Sequence, residues 1–476
     1  MTKYTFTSHV FRQDLSIIPS NTTELHFDRD FNQTIKVGEL PPSLKKLVLP
    51  LCFNSEIELG AIPEGLEEID FGCDFNRPIV PGLLPKSIKR MYISRGFNQE
   101  LEIGSIPEGT EEIYFGRDFN HPIVPGLLPK SIKSIHLSSN FERKLEIGSI
   151  PKGAEEINLG YYFSHPIIPG LFPKSIKRII MSHNFNRELE IGSIPEGTEE
   201  IYFGYYFDHQ IVPGLLPKSI KKINLSSNFN QELVIGSIPE GAEEIHFGRD
   251  FNLPINPGLL PRSMKKIRLS HTFARELEIG SIPEGTEEID FGHKYNRPIV
   301  PGLLPKSIKK MKLSDNFNQE LEIGSIPEGT EEIHFGYHFN RNIAPGLLPK
   351  STKRLILSKV FTNRLEAGSI PDGLQEIEIN RIYDGPFENI PKTTKIISQK
   401  HIPDIKYTLS IYAHQLDNYK SKIGDNYKFG DIYSYRNHIA VDVEPIERTI
   451  EVNYEVLESI EKTISALKQE ISKLKQ

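Results

Sequence analysis

The chain has 476 residues and a formal net charge of −7 with acids and bases interspersed, a balance that gives no bulk electrostatic attraction to nucleic acid or to an anionic membrane. Its two cysteines, Cys52 and Cys73, supply no disulfide framework and no zinc site, which fits a reducing, cytoplasmic compartment. The first residues lack the pattern of a signal peptide and no run of about 18 apolar residues occurs, so a soluble protein with no membrane partner is expected.

Residues 1–10 read as a short N-terminal lead, and residues 11–391 as one repetitive tract. An aromatic recurs every 22 residues from Phe31 to Phe361, sixteen positions in which Tyr295 is the one departure from phenylalanine. A glycine follows each by seven residues and a proline by ten, from Gly38 and Pro41 to Gly368 and Pro371. A fixed period of this length marks a solenoid, and a unit written so many times argues for a distributed surface rather than one catalytic cluster. The ends break register alike: Phe11 precedes Pro19 by eight residues and Tyr383 precedes Pro391 by eight, where internal coils use ten. Shortened end coils suit caps over otherwise open apolar edges. With them the tract holds about 18 coils.

Within a coil, Ile135–His136–Leu137 alternates as a short strand does, two residues inward and one outward. The inward pair is apolar in coil after coil, as in Ile69 with Phe71 and Met91 with Ile93. The segment from Phe119 adds inward Ile123 and Leu128, and its Pro122, Pro125 and Pro129 exclude a regular helix on the return side. One coil cannot bury its own apolar side, so adjacent coils must stack their strands into a parallel sheet. Stacking aligns Phe31, Phe53, Phe75 and Phe97 as a core column, and Asn32, Asn54, Asn76 and Asn98 as a column of turn or backbone-bonding residues. The expected fold is a β-rich solenoid, a right-handed coil with a parallel β-sheet on one face.

A second period of 44 residues overlies the first. Coils alternate between basic (GLLPKSIKRMYIS from Gly82) and acidic (GSIPEGTEEIYFG from Gly104), which sets Lys86 beside Glu108, Lys89 beside Glu111 and Arg90 beside Glu112. Alternation turns columns of like charge into ladders of opposite neighbours and helps fix register between similar coils. Phe71, Phe115 and Phe203 of the acidic coils face smaller aliphatics of the basic ones, so the unit of duplication is the pair of coils.

The recurring F-N-x-P-I-x-P-G-x-L-P-x-S-I-K-x-I-x-L, present at Phe75–Ile93, Phe119–Leu137 and Phe251–Leu269, resembles the FNIP-repeat family of leucine-rich-repeat-like units. The resemblance covers residues 11–391. It implies a leucine-rich-repeat-like (LRR-like) solenoid used for protein–protein contact, in a family found chiefly in amoebae and giant viruses. Some members place an F-box before the repeats; about ten residues precede Phe11 here, too few for one, so a ubiquitin-ligase adaptor role is not expected.

In such a fold the outward strand residue lies on a wide shared surface. Along the chain it is Asp70, Tyr92, Tyr114, His136, Asn158, Ile180, Tyr202, Asn224, His246, Arg268, Asp290, Lys312 and His334, the least uniform position of the repeat. All but Asp70 and Ile180 are the candidate partner-binding residues, since Tyr, His and Arg give large amphipathic contact area. The two residues before each core aromatic also vary, among them Tyr161 and Tyr162, Tyr205 and Tyr206. His136, His246 and His334 lie four or five coils apart and cannot share one metal. No fingerprint of a hydrolase, zinc protease, P-loop or dinucleotide fold occurs, so neither an enzyme nor a cofactor is expected.

Residues 392–444 form a Tyr-rich capping or linker region, and 445–476 read as an amphipathic helix with a seam of Leu457, Ile460, Ile464, Leu467, Ile471 and Leu474. The Ile/Leu choice along that seam suits a parallel homodimeric coiled coil, while docking onto the last coil is the other reading. Two functions stand open: a non-enzymatic scaffold that binds a protein partner through the sheet face, and a structural spacer whose C-terminal coiled coil carries the interaction.

Overall fold

The computed structural model describes residues 3–6, 15–380, 382–383, 385, 387–398 and 450–452. Phe11, residues 399–444 and the seam from Leu457 to Leu474 lie outside the described residues. The chain divides into two compact units, Met1–Thr286 and Glu287–Gln476.

In the first unit, β1 (Lys3–Phe6) and β2 (Glu24–Phe27) are followed by β3 to β13, three residues each, at 22-residue steps from Lys46–Val48 to Lys266–Arg268. Neighbouring strands pair in parallel, residue for residue: Glu68 with Arg90, Ile69 with Met91, Asp70 with Tyr92. Two details differ from the sequence reading. The lead is not merely a lead, because Lys3–Phe6 adds a strand alongside β2, Tyr4 opposite Leu25. Each strand also begins one residue early: Ser134–His136 is the strand, with Ile135 buried between two half-buried outward residues. Leu137 stays buried beyond it and donates its N–H to Asn158 O at 2.8 Å. Each of β3 to β13 thus presents two outward positions, not one.

The second unit repeats the plan. Strands β14 to β17 run at the same step from Glu288–Asp290 to Arg354–Ile356, followed by β18 (Glu376–Ile379), β19 (Lys395–Ser398) and β20 (Ile450–Val452). The pairing is parallel through β19, and β20 lies antiparallel on it, Val452 opposite Ile396. Tyr383 takes the aromatic place in the shortened end coil, fully buried with its ring 6.2 Å from that of Phe361.

The core aromatics form the expected column, with near-parallel neighbouring rings 6.0 to 6.5 Å apart from Phe31 through Phe141. Phe71 and Phe115, from the acidic coils, stack on Phe75 and Phe119 within their own coils. The asparagine column is a hydrogen-bonded file: the side-chain oxygens of Asn32, Asn54 and Asn76 each accept the backbone N–H of the next coil's asparagine at 2.8 to 2.9 Å. An amide that accepts from a neighbouring backbone settles a donor no strand partner could reach.

A third alternation joins coil to coil. Three residues before the core aromatic, basic coils carry a buried serine and acidic coils a glycine. The Ser94 hydroxyl donates to the carbonyl of Phe75, and Ser138 donates likewise to Phe119. A Cβ on Gly116 would sit 1.6 Å from Ser94 O, and one on Gly248 1.4 Å from Ser226 O, so these glycines are there for close approach rather than for turning.

Candidate functional site: the outward face of the sheet

Apart from Ser134 in β7, the first outward position of the strands forms a charge ladder. Glu68 is held between Lys46 at 2.9 Å and Arg90 at 2.7 Å, one from each neighbouring coil. The residue just before the strand forms a parallel ladder, as in Lys45 to Glu67 and Lys89 to Glu111, both at 2.9 Å. The expected Lys86/Glu108 column forms no ion pair among the described residues. Both side chains are exposed on a turn outside the sheet, where nothing holds them at strand spacing.

The second outward position carries the candidate binding residues, half-buried except for exposed Arg268. In the first unit Tyr92, Tyr114 and His136 stack face to face, ring centres 4.6 and 4.2 Å apart, so their edges form the accessible surface. Tyr202 lies with the Arg178 guanidinium 5.0 Å from its ring centre and donates its hydroxyl to Glu200 at 2.9 Å. His246 lies 2.7 Å from Glu244, and the Asn224 side-chain oxygen between Tyr202 and His246 is buried with no hydrogen-bond partner. In the second unit His334 pairs with Glu332, and Lys312 reaches Asp290 at 3.2 Å.

Asp70, Asn158 and Asp290 have a local duty. Each side-chain oxygen accepts the N–H of the glycine two residues on, at 2.9 to 3.0 Å. Those glycines, Gly72, Gly160 and Gly292, have φ of +70 to +73°, whereas Gly116, Gly204, Gly248 and Gly336, which follow Tyr or His, are not among the positive-φ glycines. The short acceptor bends its own strand exit into the left-handed region. Asp70 and Asn158 therefore punctuate the first unit's sheet face, and Asp290 the second's.

Burial sets the protonation of this surface. It pushes His136, His246 and His334 below the ordinary histidine range even though glutamates lie beside them. Burial raises the Tyr92, Tyr114 and Tyr202 phenols. For Glu244 and Glu332, burial works upward but is outweighed by hydrogen bonds from Lys222, and from His334 and Lys310, so both stay below the usual carboxylate range. Tyr92–Tyr114–His136 and Tyr202–Asn224–His246 are thus runs of neutral rings and an amide, bordered by the charge ladder. Among the described residues, no group of three or more His, Cys, Asp or Glu is placed to hold a metal ion.

The structure adds a cluster at the loops leaving the strands. Tyr161, His183 and Tyr205 stack with centres 4.1 and 4.9 Å apart, and Tyr162 and Tyr206 stand nearly perpendicular against Tyr161 and Tyr205. Tyr161, Tyr162 and Tyr206 remain at least 40% exposed. The sequence held the signal, since residues 161, 183 and 205 share one 22-residue register. His183 is harder to see there because it falls in a basic coil, where the neighbouring residue is asparagine rather than a second tyrosine.

The family model described as FNIP Repeat matches eleven segments: residues 13–52, 31–74, 53–96, 75–118, 97–137, 119–162, 163–206, 207–250, 251–294, 295–338 and 339–381. Among solved structures, the chain is similar to CroV588, described as a circular LRR protein, with 25% identity and a TM-score of 0.71. That match covers 82% of this chain and 60% of CroV588, so this chain spans less than two thirds of its neighbour's length. A leucine-rich repeat protein from Bacteroides ovatus matches at 12% identity over 79% of this chain and 84% of its own, with a TM-score of 0.16. No curated protein matches the chain.

Proposed function

The chain belongs to the FNIP repeat family, and on that footing we propose that it is a non-enzymatic scaffold that binds a protein partner through the outward face of its sheet. Repeat solenoids of this LRR-like kind typically serve as interaction scaffolds and are typically non-catalytic. The observation that carries the reading is the contrast between the two outward positions. One is an alternating charge ladder interrupted by Ser134 alone, while its neighbour two residues on varies among Tyr, His, Asn, Arg, Asp, Lys and Ile with no demand from the core. The stacked Tyr92–Tyr114–His136 edge gives that column amphipathic area, a feature of recognition surfaces. No helix among the described residues is long and apolar enough to cross a membrane, and a cytoplasmic setting remains part of this proposal.

The test is affinity capture with the full chain beside Y92A/Y114A/Y202A and a control, K86A/K130A, altered on exposed turns. Selective loss of the same proteins with the tyrosine variant supports the reading. Equal capture by all three chains sinks it and moves recognition off the sheet face.

A further inference from the structure

A second surface lies on the return side. Six residues after the core aromatic, Ile103, Ile147, Ile191, Ile235 and Ile279 are 62 to 73% exposed, all within the first unit. The coils between place a proline there, Pro125 and Pro169 among them, and the residue before each proline adds exposed Val124 and Ile168. The core makes no demand for these side chains, because Ile123, Leu127 and Leu128 of the same segment already fill the interior.

Nor are they isolated. The Ile103 methyl lies 3.8 Å from where a Cβ on Gly126 would stand, and Pro125 lies 3.5 Å from the same point on Gly148. Each apolar side chain thus leans over the next coil's glycine, whose positive φ and missing side chain leave the stripe unbroken. Its aliphatic groups expose on the order of 1,000 Å², beyond the roughly 300–600 Å² of the largest patch on a typical monomer. That is of the same order as the roughly 800 Å² per partner of a standard interface.

We propose that this stripe is a self-association interface, paired with the same stripe of a second copy. A contact running along many coils requires a partner whose apolar groups recur at the same pitch, and a second copy carries that 44-residue period by construction. The residue before these isoleucines is an exposed glutamate at 102, 146, 190 and 278, so the stripe has an acidic border that counts against an anionic lipid surface.

Light scattering on the full chain across a concentration series tests this. The expected mass is twice 54.2 kDa, falling to 54.2 kDa for I103K/I147K/I191K. The milder I147S/I191S should weaken association at least tenfold, with unchanged circular dichroism showing that the fold persists. A wild-type monomer at every concentration overturns the proposal. So does a dimer that survives the isoleucine substitutions but is lost in full-length L467K/I471K, which would place association in the C-terminal segment.

Discussion

Replacing Gly116 by alanine should be among the costliest single changes in the chain. The added Cβ would stand 1.6 Å from Ser94 O, so the two coils must part by about 1.8 Å to regain ordinary contact. Ile93 and Asp118 bond across this junction, to Tyr114 O at 2.8 Å and Arg95 O at 2.9 Å, and Ser94 itself holds the Phe75 carbonyl. Losing two such bonds at about 1 kcal/mol each, with overpacking of about 1–3 kcal/mol, gives about 3–5 kcal/mol. Gly258 is the control: its φ is +80° and nothing lies within 4 Å of where a Cβ would stand, so alanine there meets only the left-handed backbone cost of about 1–2 kcal/mol. Urea unfolding ranks the two variants, and hydrogen exchange locates the damage. Because each coil touches only its neighbours, protection in G116A should fall in peptides around Ser94 and Gly116 and hold elsewhere. A G116A protein that matches wild type, or that outlasts G258A, would refute the close-approach argument.

Acidification should destabilise the protein in two stages. His136, His246 and His334 are held below their unfolded value of 6.5, so the neutral form is favoured by folding; their stability is present above that value and is lost as pH falls through their folded pKa values. Glu244 and Glu332, below 4.5, add a further loss at lower pH, while Asp70, raised by burial, acts in the opposite sense. Thermal melts should therefore decline below about pH 6.5 and more steeply below about 4.5; a flat profile between about pH 7 and 4 contradicts the burial of these groups. Lys133→Glu would align three carboxylates, between Glu111 and Glu155, and should cost about 1 kcal/mol at low salt, largely recovered at high salt. Salt-independent destabilisation would show that the lysine acts through packing instead.

Much of the fold could be read from the chain because a strict register converts sequence spacing directly into spatial stacking. The Phe31–Phe53 column and the Asn32–Asn54 file follow from the 22-residue period alone. The start of each strand was less legible, since the outward residue at Ser134 is polar or charged throughout and carries no hydrophobic alternation to mark it. At the candidate face, a list of variable residues could not separate Asp70, Asn158 and Asp290 from the rest. Their turn-forming bonds depend on side-chain length and on the backbone of the following glycine. The return-side stripe was hidden for another reason: an isoleucine beside buried Leu101 reads as core until the direction of its side chain is known.

The serine–glycine alternation also constrains how such a gene can change length. Unequal crossing-over that removes a single coil would stack serine on serine, or glycine on glycine, leaving either a clash at the carbonyl or a carbonyl with no hydroxyl to receive. Removal or gain of two coils restores every junction. Arrays of this type are therefore expected to vary between related genes in steps of 44 codons, with odd-numbered steps purged by selection against the faulty joint.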